Sequence, residues 1–316
     1  MIDTASRPFD IITFGDTCVD LILAGGDVTP RFGQVEQLVD GYELELGGSC
    51  CIFACQAARL GLRVAVVGKV GPDAFGRLVV EKLAACGVDT GHIAVDPALR
   101  TGLSVALAAG GDRAILTVLG SISALSPADV GDELLAQARH LHHGSYFLHT
   151  GLRPAMPAIF ARARALGLTT SLDTNWDPAD GWGGTLADTL AATDLFMPNE
   201  QEALRIAGAA DLDAAVALLR ARAPLLALKR GAQGATLYGP GGRVDGPALP
   251  PASGGDSVGA GDSFDAGFLA GWLRGLPLAT CMAIAAHCGR AVASRAGGIA
   301  GQPTWAELGA LTQGTA

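Results

Sequence analysis

The sequence predicts an α/β protein, with a mostly parallel central sheet covered by helices on both faces and a smaller second sheet beside it. Three observations predict it. From Ser126 onward, helix-length segments alternate with short apolar runs, as in parallel strands joined by crossover helices. Two early helical stretches close on glycine, at Gly61 and Gly87, where helices favour a left-handed residue. Residues 17–46 and 103–119 instead carry strand-like pieces cut by turn residues, which sets them outside the main core.

Residues 10–14 form an apolar run ending at Gly15-Asp16, a buried strand and its turn. Residues 17–46 have no helical period and are split by Gly25-Gly26, Pro30 and Gly33. Within them, residues 42–46 alternate as a strand does. Gly47-Gly48 opens a helix over 50–60 that is apolar nearly all round, so it is expected to be buried. A strand at 63–67 precedes Gly71-Pro72-Asp73, which caps a helix over 74–86. Residues 103–109 and 114–119 flank Gly110-Gly111-Asp112 as a hairpin. The regular part then reads helix 127–139, strand 142–148, helix 155–166, strand 169–173, helix 186–192 and strand 194–196. Helices 200–207 and 212–222 and strand 225–229 follow. Residues 235–238 and 243–244 make a second hairpin. Helices over 263–274 and 278–294, a Gly297-Gly298 turn and a helix over 304–311 close the chain. Ligands of such sheets bind beyond the carboxyl ends of the strands.

The 316 residues are 49% apolar, enough for a sizeable core. A net charge of −9 argues against nucleic acid or an anionic membrane as partner. Seven cysteines without framework spacing read as reduced thiols, so the cytoplasm is the expected setting. Residues 1–10 lack the pattern of a secretory signal, and the longest apolar runs fall short of a membrane span.

The segment Asp256-Ser257-Val258-Gly259-Ala260-Gly261-Asp262 carries the most chemistry. Small residues before a helix expose unpaired N–H groups at the positive end of its dipole, which suits phosphate. Asp262 fits there if it takes a proton from an attacking hydroxyl; the other reading is an acidic turn capping a core helix. Asn199-Glu200-Gln201-Glu202 is a helix cap, or a site for phosphate and water-held magnesium. Lys229-Arg230-Gly231-Ala232-Gln233-Gly234 is a plain turn or one beside a ligand. Asp173-Thr174-Asn175-Trp176-Asp177 binds hydroxyls, tunes magnesium, or makes an Asx turn. Cys50, Cys51 and Cys55 read as small core residues, and His140, His142, His143 and His149 as residues around one strand rather than a metal site.

These pieces, in this order, resemble the ribokinase, or PfkB, family of carbohydrate kinases from about Phe9 to Trp305. Gly47-Gly48, the stretch Val67-Gly68-Lys69-Val70-Gly71-Pro72-Asp73-Ala74-Phe75-Gly76, Asn199…Glu202, Lys229…Gly234 and Asp256–Asp262 carry the resemblance. It implies one ribokinase-like three-layer sandwich spanning the chain, with a β-sheet lid built from about 17–46 and 99–120. It implies transfer of the ATP γ-phosphoryl to a sugar hydroxyl, with Asp262 as base and Gly259, Ala260 and Gly261 as anion hole. Asn199 and Glu202 match the pair near phosphate and magnesium, with Glu202 acting through water. Asp256 matches a ligand of a monovalent cation, commonly potassium. Lys229, Gly231, Gly234 and Gly298 match nucleotide contacts; Asp16, Asp20, Gly47 and Gly48 match the sugar-contact region. In several members the lid also forms a dimer interface, so a homodimer through it is expected.

Two positions depart from the family pattern. Ile52 stands where the family usually has Asn, and Cys18 where ribokinases carry an Asn that meets the sugar. Both are expected to remove polar groups from the acceptor pocket and to shift specificity. The expected function is an ATP- and magnesium-dependent kinase of a neutral sugar or polyol. The alternatives are a nucleoside kinase of the same family and a sugar-sensing protein without catalysis.

Overall fold

The computed structural model describes residues 7–109, 112–250, 257–295 and 297–312. Its strands are β1 (Phe9–Phe14), β2 (Cys18–Ala24), β3 (Gly41–Gly47), β4 (Val64–Val70), β5 (Ile93–Val95), β6 (Gly102–Ala109), β7 (Asp112–Val118), β8 (Ala138–His143), β9 (Thr169–Leu172), β10 (Leu195–Phe196), β11 (Leu225–Lys229), β12 (Ala235–Gly239) and β13 (Gly242–Asp245). Its α-helices are α1 (Ser49–Arg59), α2 (Ala74–Ala85), α3 (Asp132–Leu135), α4 (Met156–Ala165), α5 (Leu186–Ala191), α6 (Glu200–Ala207), α7 (Leu212–Arg220), α8 (Ala260–Trp272), α9 (Leu278–Ala293) and α10 (Gly309–Thr312).

The large sheet has the order β13-β12-β11-β10-β9-β8-β1-β4-β5. It is parallel from β5 to β11, and the hairpin β12–β13 extends it antiparallel. Alternate residues of its strands feed opposite cores. Ile11, Val64, Val66 and Ala227 pack with α1, α2, α8 and α9. Ile12, Ala65, Val67, Leu226 and Leu228 pack with α4, α5, α6 and α7. A sheet buried on both faces needs the near-continuous apolar strands read from the sequence. The small sheet, in the order β3-β2-β6-β7, comes from the two segments set aside from the main core. No helix among the described residues is long and apolar enough to cross a membrane.

Four elements differ from the sequence reading. The helix expected over 127–139 breaks up. Ser126 and Asp129 close a capping box on a single 3₁₀ turn, Val130 leaves helical geometry, and only the four residues of α3 follow. The next strand starts earlier and ends at His143, because pairing with β1 sets His140 beside Ile11 and Leu141 beside Ile12. Residues 146–148 form a 3₁₀ turn after Ser145, whose φ is +54°. Helix α8 starts at Ala260, which puts Asp262 inside its first turn rather than ahead of it. The terminal helix shrinks to α10. Strand β5 was not foreseen; three residues without alternation leave no periodic signal.

Candidate active site

Loops leaving the carboxyl ends of β1, β8, β9, β10 and β11 bring the polar side chains together. After β1, Asp16 turns back to the start of α1. Its carboxylate accepts the backbone N–H of Ser49 at 2.9 Å and of Cys50 at 3.1 Å, and the Ser145 hydroxyl at 2.8 Å. Asp16 therefore neutralises the N-terminus of α1. Its backbone comes so close that a Cβ on Gly48 (φ +87°) would sit 2.1 Å from Asp16 O. Only glycine fits there. Asp20, on β2, faces Gly47 as tightly: a Cβ on Gly47 would meet Asp20 Oδ1 at 2.2 Å. Asp16, Asp20, Gly47 and Gly48 thus form one contact group, although Asp16 spends its oxygens on three protein donors.

The N-terminus of α8 lies across from that group. The first-turn N–H groups of this 13-residue helix have no acceptor within it. Gly259 is the N-cap, with φ +72°, and a Cβ there would strike Gly298 O at 2.5 Å and Ile52 Cγ2 at 2.8 Å. A Cβ on Gly298 would strike Ile52 Cδ1 at 2.6 Å. Gly298 thus reaches the start of α8 from the far end of the chain. The Ile52 side chain, which the sequence reading assigned to the acceptor pocket, lies against Gly259 and Gly298. Cys18 is 2% exposed on β2, paired with Gly47 and Gly102.

Asp262 keeps part of its side chain at the surface of the crevice. The surrounding protein is dense enough that burial is still the main influence on it. Burial, then the charge of Asp173, push its carboxyl up to about 7 against the pull of Lys229 and a hydrogen bond from Ser49. A carboxyl tuned near neutrality is suited to accept a proton.

Lys229 ends β11, and its ammonium lies under the helix start, where a Cβ on Gly261 would stand 3.4 Å from Nζ. It bonds Asp173 at 2.5 Å and lies 3.4 Å from Asp265, both buried. Burial opposes its charge, but Asp173, Asp265 and Glu202 outweigh that and keep it protonated. Its ammonium is thus committed to this carboxylate cluster, whereas the glycines of the same motif lie in a 3₁₀ turn. Gly231 (φ +55°) is open there, and a Cβ on Gly234 (φ +84°) would meet Pro247 O at 2.9 Å. Asn199 and Glu202 form a capping box on α6: Asn199 Oδ1 accepts the Glu202 N–H, and Glu202 Oε2 the Asn199 N–H, each at 2.9 Å. Glu202 is 4% exposed. Burial, then Asp173, push it up to about 7. A hard cation would favour its ionised form, so an oxygen donor here fits magnesium held through water. Asp256 lies outside the described residues.

Three participants were missed. Ser49 stood beside the glycine pair but carried no motif of its own. Ser145 lay in a stretch read as strand. Asp265, three residues after Asp262, was legible as an acid on the same helix face. Burial pushes its carboxyl well up, against the pull of the Lys229 ammonium.

Comparison with known proteins gives a consistent picture. Residues 9–305 match the model of the pfkB family carbohydrate kinases. A fructokinase from Klebsiella pneumoniae is 32% identical, over 81% of this chain and 88% of that protein. A 5-dehydro-2-deoxygluconokinase from Shouchella clausii is 24% identical over 97% and 96%. Among solved structures, an E. coli protein described as a ribokinase II in complex with ATP and Mg²⁺ superposes with a TM-score of 0.82 at 25% identity, covering 96% of this chain and 99% of that one.

The raised carboxyl of Asp262 has a consequence for stability. The folded protein binds this proton more tightly than the unfolded chain, so the group opposes folding increasingly from about pH 4 and levels off above about pH 7. Asp262→Asn should raise the melting temperature by a few degrees at pH 8 and by less at pH 5, with the gain reduced by the group's partial exposure. An equal gain at both pH values would show that the carboxyl is not strained.

Proposed function

The chain belongs to the pfkB family of carbohydrate kinases, and from that membership we propose a specific reaction: Asp262-assisted transfer of the ATP γ-phosphoryl group to a hydroxyl of a small, neutral sugar or polyol. The observation that carries this reading is a near-neutral carboxyl in the first turn of α8, beside the close-packed glycines of that helix start. The acceptor O–H gives its proton to the Asp262 carboxylate. Its oxygen bonds to the γ-phosphorus as the bond from that phosphorus to the β–γ bridging oxygen breaks, and ADP leaves. Phosphoryl transfer passes through a loose transition state, so positioning and charge stabilisation do most of the work. The first-turn N–H groups around Gly259, Ala260 and Gly261 face the developing charge. Gly231, Gly234 and Gly298 line the nucleotide side, and Lys229 anchors it from below. Magnesium, when bound, neutralises phosphate charge, and Glu202 with Asn199 would hold it through water.

Asp16, Asp20, Ser49, Ser145 and Asn175 suit hydroxyls: they are carboxylates, hydroxyls and an amide. A carboxylate or phosphate on the acceptor would meet like charge from Asp16 and Asp20, which favours an uncharged acceptor. Asp256 is proposed as a potassium ligand on the resemblance alone. A homodimer through the small sheet is supported by exposed apolar side chains there, among them Tyr42 (73%), Leu116 (62%) and Val118 (60%).

Asp262→Asn should lower kcat on the order of 10²–10⁴-fold. In the wild type, kcat/KM for the acceptor should rise with pH through about 7, since only the ionised base works. Unchanged turnover in the variant would remove Asp262 from the role of base. Glu202→Gln keeps a capping side chain, so the melting temperature should hold while the magnesium needed for half-maximal rate rises about tenfold. An unchanged magnesium requirement would leave Glu202 as a cap only. A coupled ATP assay across neutral sugars, polyols, sugar acids, sugar phosphates and nucleosides should give turnover with the first two classes. Preference for nucleosides would favour a nucleoside kinase, and tight sugar binding without turnover a sensor. Equal rates in sodium and potassium buffers would count against the cation site, and a monomer by light scattering against the dimer.

A further inference from the structure

Ile52 is the fourth residue of α1, and its side chain reaches both glycines that meet at the start of α8. A Cβ on Gly259 would stand 2.8 Å from Ile52 Cγ2. One on Gly298 would stand 2.6 Å from Cδ1 and 3.1 Å from Cγ1. The two branches of one side chain thus divide the contacts. Cγ2 faces the N-cap of α8, and the longer branch faces the residue that reaches it from the end of the chain. Ile52 is 3% exposed, so water does not share these contacts. Its backbone is tied as well. The Ile52 N–H donates to Gly48 O at 2.9 Å, in the turn that Asp16 caps. Gln302 Nε2 donates to Ile52 O at 2.9 Å and to Ser263 Oγ at 3.3 Å. Ser263, next to Asp262, donates its N–H to Gly259 O at 2.9 Å. One buried amide therefore joins Ile52 to the first turn of α8.

The conformation of Gly259 gives these contacts their importance. N-cap residues ordinarily take extended dihedrals, yet Gly259 has φ +72° and ψ −1°. A left-handed residue followed by helical ones turns successive N–H groups into an anion-binding concavity. That concavity lasts only while Gly259 keeps its left-handed turn. Gly298 O and Ile52 Cγ2 both bound the space at its Cα. A hydrocarbon side chain offers no hydrogen bond to a sugar or to a phosphate. What it supplies here is shape and the exclusion of water, and N–H dipoles act more strongly where water is excluded.

We propose that Ile52 is a positioning residue for phosphoryl transfer: its side chain holds Gly259 and Gly298 in place and thereby fixes the first-turn N–H groups of α8. This rests on the reading of that helix start as the phosphate side. It assigns Ile52 to the handling of phosphate and not to the choice of acceptor.

The test compares two rates: ATP hydrolysis with no acceptor present, and transfer to the best neutral sugar or polyol of the acceptor panel. Both use the phosphate side, whereas only the second uses the acceptor pocket. Ile52→Ala removes both branches. It should lower the two rates by the same factor, about tenfold, raise KM for ATP about threefold or more, and leave KM for the acceptor within about twofold. Ile52→Val keeps Cγ2 and removes Cδ1, so it should lower both rates by only about two- to threefold. If Ile52→Ala fails to fold, judged by its melting curve, Ile52→Val carries the test. A fall in transfer with unchanged ATP hydrolysis overturns the proposal and places Ile52 with the acceptor. Wild-type kinetics in Ile52→Ala also overturn it. So does a fall in kcat with both KM values unchanged, which means lost active enzyme and a merely structural role. If the wild type neither hydrolyses ATP nor phosphorylates any acceptor of the panel, the kinase reading fails and this proposal with it. With an active wild type, any of the three overturning outcomes removes the positioning proposal alone.

Discussion

The capping of α1 by Asp16 is the interaction on which the rest of the site depends. Two helices, α1 and α8, turn their N-termini toward the same crevice. Left open, both would attract anions. Asp16 closes one of them from within the protein by accepting the N–H groups of Ser49 and Cys50. In the proposed reaction the open end at Gly259–Gly261 would be the phosphate side, and the closed end the side that meets hydroxyls. The same bonds fix where Ser49 stands, and Gly48 lets the chain pass within contact distance of Asp16.

Beneath this lies a balance of buried charge. Asp173, Asp265 and Glu202 crowd one ammonium, that of Lys229, so only part of their negative charge is compensated. The carboxyls respond differently. Burial pushes Asp265 well up, and pushes Asp262 and Glu202 up to about 7. The protein thus holds two carboxyls near neutrality, one in the first turn of α8 and one in the first turn of α6. Positive charge brought near them would favour ionisation of both.

Much of this was legible in the sequence, because it rests on local patterns. The alternation of helix and strand, the glycine-closed helices and the two hairpins depend on neighbours along the chain, and the structure keeps them. The Asp256–Asp262 segment and the Asn199–Glu202 pair were visible as motifs for the same reason. The illegible part is made of long-range contacts. Ser49 and Asn175 are 126 positions apart and Ser145 and Asn175 are 30 apart, so no spacing announced that they meet. Ile52 shows a second limit. Its position in a motif was clear, but the helix twist that turns it toward Gly259 and Gly298 was needed to learn which part of the site it touches. The broken helix at 127–139 is a third case: the capping box at Ser126 and Asp129 starts a turn, and Val130 leaves helical geometry after it.

The attachment of the small sheet has a mechanical consequence. Strand β2 leaves the loop holding Asp16, and β3 runs through Gly47 and Gly48 directly into Ser49. Its strands β2 and β3 are therefore rooted at the two ends of the Asp16–Ser49 contact, with only Thr17 on one side and the glycine pair on the other as slack. Any rotation of that sheet would therefore bear first on this contact and on the start of α1.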